Sequence, residues 1–188
     1  MRGHRPTPPR PGLGAMRRRR EEMLRVDHAG ELAAVYIYRG QRAVLGQAPG
    51  RAALAAELDE MEQGEAAHLA AFDKLLTRER ARPSALAPVW RAAGFALGAA
   101  TALMGERAAH ACTDAVEDVI EKHYAGQIAE LKDREPELAG RLEQFRADEL
   151  AHQDYAVEGG ARKTPGYRLL SGVIRAGCRA AIKVAERV

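Results

Sequence analysis

The 188-residue chain lacks the features that mark several common protein classes. Its two cysteines, Cys112 and Cys178, are too few for a disulfide scaffold and lie in helical sequence, so we predict that both are reduced, with a disulfide as the less favoured alternative. It contains no run of ~20 apolar residues, so no membrane-spanning helix is predicted. Aromatic residues make up only 5% of the chain, and β-branched runs are rare. This alanine-rich composition favours an all-α fold.

Acidic residues are absent from the first twenty positions, where seven arginines occur. The rest of the chain has 22 basic and 26 acidic residues, a net charge of −4, although the whole chain carries +3. Because a mildly acidic body disagrees with a nucleic-acid groove, no nucleic-acid partner is expected. The arginine-rich segment has four prolines and no hydrophobic core of the secretory-signal kind. We predict that residues 1–20 form a disordered basic tail and that residues 21–188 form one domain.

Apolar residues recur at steps of three and four through most of the domain, which is the spacing of one helix face. Glycine and proline punctuate these segments and set their ends. The pattern predicts six helices. The first helix spans about residues 21–45, and the second runs from the turn at 46–50 to about residue 80. Two more span about 106–131 and 135–159. The other two lie at about 85–105 and 165–187.

The motif Glu-x-x-His occurs twice, and each copy follows a lone glutamate in the sequence. A lone glutamate and the motif that follows it form one unit, and the chain has two such units. The lone glutamate precedes the glutamate of the motif by 34 residues in the first unit and by 32 in the second, a separation that fits one helical hairpin in each case. Residues three apart project from the same face of a helix, so each motif can bind one metal ion. All six side chains fall on apolar stripes and are expected to face the core. The candidate metal ligands are Glu31, Glu65, His68, Glu117, Glu149 and His152.

Four glutamates that face a core need a compensating positive charge, because an unpaired buried carboxylate is costly. No lysine or arginine interrupts the four stripes near these glutamates, so a metal is the expected compensator. Oxygen-rich coordination with one imidazole per ion suits iron or manganese better than zinc. The same ligand set holds metal pairs in di-iron and di-manganese four-helix bundles, which serve here as the template. The alternative is a set of partly exposed helix glutamates with nearby histidines.

The helix predicted at 85–105 is almost uncharged, with Arg91 as its sole charge. Its apolar run is too short to cross a bilayer and suits a helix that lies in a membrane surface, with Trp90 at the interface. Gly94 and Gly98 form a small-residue face for close helix packing. The alternative is an ordinary buried crossover between the two hairpins. The last helix is basic and amphipathic, which is typical of an interfacial or partner-docking helix and equally of one that covers the bundle.

Four segments of the chain carry a recognisable pattern. They are RVDHAGELAAVYIYRGQRAVLG (25–46), ALAPVWRAAGFALGAATALMGERAAHACTDAVEDVIEKHY (85–124), RADELAHQD (146–154) and RAGCRAAIKVAERV (175–188). This pattern resembles the demethoxyubiquinone hydroxylase family, the di-iron enzymes of ubiquinone biosynthesis, over nearly everything after residue 20. The resemblance implies a ferritin-like four-helix bundle with two additional helices. It places the family's iron ligands on the six residues selected above.

The resemblance also implies an activity, the hydroxylation of the ring of a polyprenylated demethoxybenzoquinone or quinol. Two iron ions are the implied cofactor, and O2 and an electron donor such as NADH are the implied co-substrates. His123 and Tyr124 are expected to serve in quinone binding or in electron and proton delivery. Of the six ligands, Glu31 and either Glu149 or Glu117 are the candidate bridges between the irons.

Two acidic residues outside the ligand set are further candidates. Asp27, one turn before Glu31, and Asp148 are expected to orient the ligand imidazoles by accepting hydrogen bonds from them.

The expected partners are a polyprenyl quinone and a membrane surface; family analogy adds a lipid-binding partner protein and self-association. We expect a peripheral protein on the cytoplasmic face of a bacterial inner membrane, with the matrix face of the mitochondrial inner membrane as the alternative. Competing functions are another ferritin-like oxidase, such as a tRNA hydroxylase or manganese catalase, an iron-handling ferroxidase, and a metal-free lipid-binding module.

Overall fold

The computed structural model describes residues 13–46 and 50–188. Six α-helices and one short 3₁₀ helix contain most of these residues, and no strand occurs among them. The helices are α1 (Leu13–Leu45), α2 (Ala52–Glu79), α3 (Ala87–Leu103), α4 (Glu106–Leu131), α5 (Pro136–Glu158) and α6 (Tyr167–Ala185), with the 3₁₀ helix at Ala161–Lys163. The all-α prediction is confirmed. Both cysteines are free thiols, as predicted.

Helices α1, α2, α4 and α5 form a bundle made of two hairpins. Helix α1 packs along α2, and α4 packs along α5. Helix α3 connects the hairpins and packs on α1 and α4, whereas α6 returns onto α4 and touches α1. The arrangement is compatible with a ferritin-like bundle to which α3 and α6 add two further helices, as the sequence predicts.

Most helix ends fall where glycine and proline predicted them. Helix α4 has the predicted bounds, and α5 begins at Pro136, whose fixed φ suits the first helical position. Gly105 and Gly166 precede α4 and α6 with φ of 111° and 71°, a conformation that residues other than glycine rarely adopt. Pro49, which with Gly50 marks the predicted turn at 46–50 where the first helix stops, lies outside the described residues.

The start of α1 was predicted wrongly. The helix begins at Leu13, so the last eight residues of the predicted disordered tail are helical. Three arginines of this segment, Arg17, Arg19 and Arg20, have acidic partners. Arg20 lies 2.6 Å from Glu79 and 2.7 Å from Glu135 through different nitrogens. These ion pairs join α1 to the last residue of α2 and to the residue that precedes α5. Residues 1–12 of the predicted tail lie outside the described part of the chain.

Helix α3 lies unusually close to α1. A Cβ atom on Gly94 would stand 2.5 Å from the carbonyl oxygen of Ala33, and one on Gly98 would overlap the carbonyl group of Ile37. Real Cβ atoms do not approach backbone atoms this closely, so only glycine permits the contact. The small-residue face predicted for this helix is therefore confirmed, and its neighbour is α1 of the same chain.

Two apolar clusters close the ends of the four-helix bundle. One contains Met23, Leu24, Phe72 and Leu142, and the other contains Leu45, Leu54, Leu58 and Met61, all buried. The candidate ligands lie between the two clusters along the helices, so the apolar packing shields them from water at both ends.

The outer faces of α3 and α6 carry large apolar side chains that remain exposed. Leu103 and Leu169 are each 76% exposed, and five others are exposed to lesser degrees: Val89, Phe95, Met104, Val173 and Val184. None of the helices in the described ranges is long and apolar enough to cross a membrane.

Candidate metal centre

The six predicted ligands converge in the centre of the bundle. One ligand atom from each of Glu31, Glu65, His68 and Glu149 lies within 4.8 Å of the others, and the same holds for Glu65, Glu117, Glu149 and His152. Glu65 and Glu149 belong to both groups. The helical spacing of three brings Glu and His of each motif to one face of α2 or α5, while α1 and α4 supply one glutamate each.

Both histidines direct the same nitrogen, Nδ1, at the carboxylates. Nδ1 of His68 lies 3.3 Å from Oε1 of Glu149 and 3.5 Å from Oε2 of Glu31. Nδ1 of His152 lies 3.0 Å from Oε1 of Glu65 and 3.7 Å from Oε2 of Glu149. Within the 4.8 Å groups, each imidazole accompanies one unshared and two shared carboxylates, an arrangement that suits two neighbouring ions.

The donor atoms of the six residues fit a metal pair because most of them make no hydrogen bond. The four glutamates are at most 1% exposed, and both oxygens of Glu65 and Glu149, with one oxygen each of Glu31 and Glu117, are buried without a hydrogen-bond partner. Nδ1 of both histidines is in the same state. Unpaired buried oxygens are costly, and a divalent cation satisfies them. Hard oxygen donors with one imidazole per position match iron or manganese.

The electrostatics of the cluster support this assignment. Burial raises the pKa of Glu31, Glu65 and Glu117, and the neighbouring carboxylate of Glu149 raises each pKa further. Burial alone would lower the pKa of His68, but the surrounding carboxylates raise it to about 11. The metal-free cluster thus retains protons that metal ions would displace.

Two tyrosines fix the unshared glutamates across the bundle. The hydroxyl of Tyr38 on α1 donates to Oε1 of Glu117 on α4 at 2.9 Å, and the hydroxyl of Tyr124 on α4 donates to Glu31 on α1. Each tyrosine stands seven residues after the lone glutamate of its own helix. These two hydrogen bonds use one oxygen of each glutamate and leave Oε2 of Glu31 and Oε2 of Glu117 without a hydrogen-bond partner. Because each bond runs between α1 and α4, the bonds also couple the two halves of the centre.

Asp148 and Asp27 have different roles in the structure. Oδ2 of Asp148 lies 3.0 Å from Nε2 of His68, so Asp148 contacts the far side of a candidate ligand, as predicted. The prediction for Asp27 was wrong, because its buried carboxylate accepts a hydrogen bond from Gln127 at 2.8 Å and lies 3.3 Å from Nε2 of His123. Helix α1 turns Asp27 toward α4 and away from both ligand imidazoles.

The two further candidate residues, His123 and Tyr124, lie in different surroundings. Tyr124 is buried and reaches the candidate centre through Glu31. His123 is partly exposed, contacts Asp27 and Gln127, and borders a surface groove between α4 and α6.

The expected bridges agree only partly with the geometry. Glu149 occupies a shared position, but Glu65 is the second shared glutamate, whereas Glu31 and Glu117 each belong to one group.

An apolar cavity of about 90 Å³ lies between α1, α4 and α6 beside the start of α3. Trp90 and Ile182 lie on its wall, as does Cys178, and no charged residue lines it. Gly30 and Val116 also line it, and each precedes a candidate ligand, Glu31 or Glu117, in the sequence. The cavity therefore borders both helices that carry the unshared glutamates.

Sequence reasoning missed Tyr38, Gln127 and this cavity. The signal for Tyr38 was available, because Tyr38 and Tyr124 hold equivalent positions in the two units. Gln127 and the cavity depend on how helices pack and leave no trace in the pattern of one helix.

The fold and this buried cluster define the class of the protein: an all-α bundle with a candidate two-metal carboxylate centre. Residues 18–185 match the sequence profile of the family described as "Ubiquinone biosynthesis protein COQ7", and the chain belongs to this family. The resemblance to demethoxyubiquinone hydroxylases is thereby confirmed.

Several curated relatives agree. The "3-demethoxyubiquinol 3-hydroxylase" of Rhodospirillum rubrum is 51% identical over 168 residues, 89% of this chain and 78% of the relative. The mouse "NADPH-dependent 3-demethoxyubiquinone 3-hydroxylase, mitochondrial" is 45% identical over 171 residues, 89% and 77% of the two chains. The "5-demethoxyubiquinone hydroxylase, mitochondrial" of Saccharomyces cerevisiae is 39% identical over 183 residues, 89% and 78%.

Proposed function

We propose that the protein is an O2-dependent di-iron monooxygenase that hydroxylates the ring of a polyprenylated demethoxybenzoquinone or quinol in ubiquinone biosynthesis. The observation that carries the proposal is the buried set of four glutamates and two histidines in a member of this family. The names of the relatives supply the substrate class, and the cluster supplies ligands for the metal that such chemistry needs.

The residues divide into two ion positions. Glu31 and His68 would complete one position and Glu117 and His152 the other, with Glu65 and Glu149 shared between them. When bound, an iron pair supplies the capacity to reduce O2 with two electrons.

The side chains around the six ligands hold that set in place. Tyr38 and Tyr124 hold one oxygen of each unshared glutamate, which leaves the other oxygen for metal. The two apolar end clusters exclude water, which protects an oxidising centre from side reactions.

The apolar cavity is the proposed path for the quinone ring. It borders α1 and α4 and has no charged lining residue, which suits an uncharged ring with an attached hydrocarbon chain. Ligand pockets usually exceed about 300 Å³, so the cavity of about 90 Å³ must widen to admit the ring. Trp90 and residues of α6 form part of its lining, so their displacement would widen it.

A membrane surface is the proposed location of the protein. The exposed apolar side chains of α3 and α6, with Leu103 and Leu169 the most exposed, can insert among lipid chains. These are the two helices beside the cavity, so the long hydrocarbon tail of the substrate could remain in the bilayer while its ring enters the bundle. One relative is bacterial and others are named mitochondrial, so both membranes expected from the sequence have relatives. The cytoplasmic face of a bacterial inner membrane stays the proposed side, with the matrix face of the mitochondrial inner membrane as the alternative.

His123 is the proposed point of electron or proton delivery. It borders a groove that Lys122, Arg179 and Lys183 line together with Asp118 and Glu186. Lys122 is paired with Asp118, so Arg179 and Lys183 are the cations proposed to hold the phosphates of a nicotinamide dinucleotide. The mouse relative is named NADPH-dependent, which agrees with such a donor. Tyr124, by contrast, is proposed to position Glu31.

The deciding experiment begins with the metal-free full chain and a short-tailed demethoxybenzoquinol under anaerobic conditions. Ferrous iron, a reductant and then O2 are added, and the product is identified by its mass. We expect two irons per chain and a product heavier by one oxygen atom, with the oxygen label supplied by ¹⁸O2. The matched control is Glu117→Gln, which keeps the size of the side chain and its acceptor for Tyr38 but removes one anionic ligand.

Other outcomes would identify the rival functions. Iron loading far above two per chain would indicate storage, and consumption of hydrogen peroxide without product would indicate a catalase. Absence of metal binding would contradict the proposal and favour a lipid-binding module. The lipid-binding partner protein and self-association stay expectations from family analogy.

A further inference from the structure

The candidate centre consists of two equivalent halves. Glu31 corresponds to Glu117, and each of them accepts a hydrogen bond from the tyrosine of the other half. The Glu-x-x-His motifs correspond in the same way, and both histidines direct Nδ1 at the carboxylates. Inside the ligand set the two ion positions therefore look alike.

The equivalence fails immediately outside the ligand set, at the residue that precedes the glutamate of each motif. That residue is Asp148 in α5 and Gly64 in α2. Asp148 reaches across the bundle and places Oδ2 3.0 Å from Nε2 of His68. Gly64 faces His152 in the same manner, since a Cβ atom built on it would lie 3.7 Å from Nε2 of His152, but it offers no acceptor.

The two imidazoles differ accordingly. The side chain of His68 is 7% exposed and is held by Asp148, whereas that of His152 is 16% exposed. No residue in the described part of the chain makes a hydrogen bond to Nε2 of His152. A carboxylate on the far nitrogen fixes the tautomer and orientation of a metal-binding imidazole and increases its basicity, and its loss typically lowers metal affinity about 10–100-fold.

We propose that the two metal positions are unequal and that the residue pair Asp148/Gly64 sets the difference. The position completed by Glu31 and His68 binds its ion more tightly and fills first; the position completed by Glu117 and His152 fills second and loses its ion first. Asp148 acts as a positioning residue for the tight position. This inference rests on the proposed metal centre and adds an order to its assembly.

The test measures each position alone, because two cations that share Glu65 and Glu149 repel each other and bind unequally even in a symmetric site. Glu117→Gln keeps the Glu31/His68 position, and Glu31→Gln keeps the Glu117/His152 position. Each variant of the full chain is titrated anaerobically with Fe²⁺, and separately with Mn²⁺, in competition with a chromophoric chelator. We expect one ion per chain, bound about 10–100-fold more tightly by Glu117→Gln than by Glu31→Gln.

Substitutions of the pair then reverse the difference. In the Glu117→Gln background, Asp148→Asn should lower the affinity about 10–100-fold. In the Glu31→Gln background, Gly64→Asp should raise it by a similar factor, because the new carboxylate faces Nε2 of His152. Gly64→Ala is the matched control, since it occupies the same space without an acceptor and should leave the affinity unchanged. Circular dichroism of the metal-free variants checks that each is folded.

The outcomes separate this inference from the proposed function. Equal metal affinities in the two single-position variants, or metal affinities that change with neither Asp148→Asn nor Gly64→Asp, would overturn the inequality. Neither result would contradict the di-metal centre. An equal gain from Gly64→Ala would assign the effect to packing and would also overturn it. Failure of every variant and of the unaltered chain to bind metal would contradict the centre itself.

Discussion

Replacement of Gly94 by alanine should destabilise the bundle by forcing α3 away from α1. The added Cβ would lie 2.5 Å from the carbonyl oxygen of Ala33 and 3.3 Å from its Cα, and both atoms belong to the backbone of α1. No side chain can rotate to relieve the overlap, so the helices must separate by roughly 1 Å to reach an ordinary contact of about 3.5 Å.

Overpacking of this kind costs about 1–3 kcal/mol of unfolding free energy. For a chain of this size, each kcal/mol changes Tm by about 2–4 °C, so we expect a decrease of about 2–12 °C. Gly126 supplies the matched control, because it lies inside α4 and a Cβ added to it would have no neighbouring atom within 4 Å. Gly126→Ala should therefore stabilise the protein by about 0.5–1 kcal/mol, since alanine loses less backbone entropy in a helix.

The measurement is thermal unfolding followed by circular dichroism, together with the fluorescence of Trp90, the sole tryptophan. Trp90 is half-buried, donates a hydrogen bond from Nε1 to Oγ of Ser84 at 3.0 Å, and moves with α3, so Gly94→Ala should shift its emission to longer wavelength. Equal Tm values for Gly94→Ala and Gly126→Ala, with unchanged emission, would refute the close approach of α3 and α1.

Further outcomes follow from the surface, the cavity and the cluster. Leu103→Asp should reduce sedimentation with phospholipid vesicles without lowering Tm, because the side chain is 76% exposed. Unchanged partitioning would contradict the membrane contact proposed for α3. Ala181→Phe, on the cavity wall, should raise KM for the demethoxyquinol about tenfold or more while metal content stays constant, since binding losses of about 1.4 kcal/mol correspond to tenfold. For the metal-free protein, the raised pKa values of Glu65 and His68 mean that the folded state holds more protons than the unfolded state, so Tm should fall as pH rises from about 7 toward 9. A Tm that stays constant or rises over this range would contradict the extra protons assigned to the folded, metal-free cluster.

The sequence predicts much of the fold because helix periodicity and the punctuation by glycine and proline are local signals. The bounds of α4 and the start of α5 at Pro136 follow directly from such signals. The early start of α1 was missed, because a run of arginines looks like a solvated tail until acids on other helices neutralise it, as Glu79 and Glu135 do for Arg20.

The convergence of the six candidate ligands also follows from local signals, since five of them are buried on the inward stripe of their own helix and His152 is mostly buried on its helix. Their identity as metal ligands stays a prediction. What the pattern of one helix cannot contain is the pairing between helices. The contact of Tyr38 with Glu117, the turn of Asp27 toward His123 and the sharing of Glu65 all depend on the rotation of one helix against another.

The composition of the buried cluster has a consequence for charge. Four ionised carboxylates and two neutral imidazoles carry −4, so two divalent cations would neutralise the ligand set, whereas a single one would leave it at −2. If each ion lost one electron, the same enclosure would carry +2 between two apolar end clusters that hold no counter-ion. The protein would therefore stabilise the two ions in their reduced, divalent state. If they were oxidised, the excess positive charge would favour the entry of an anion or the return of electrons.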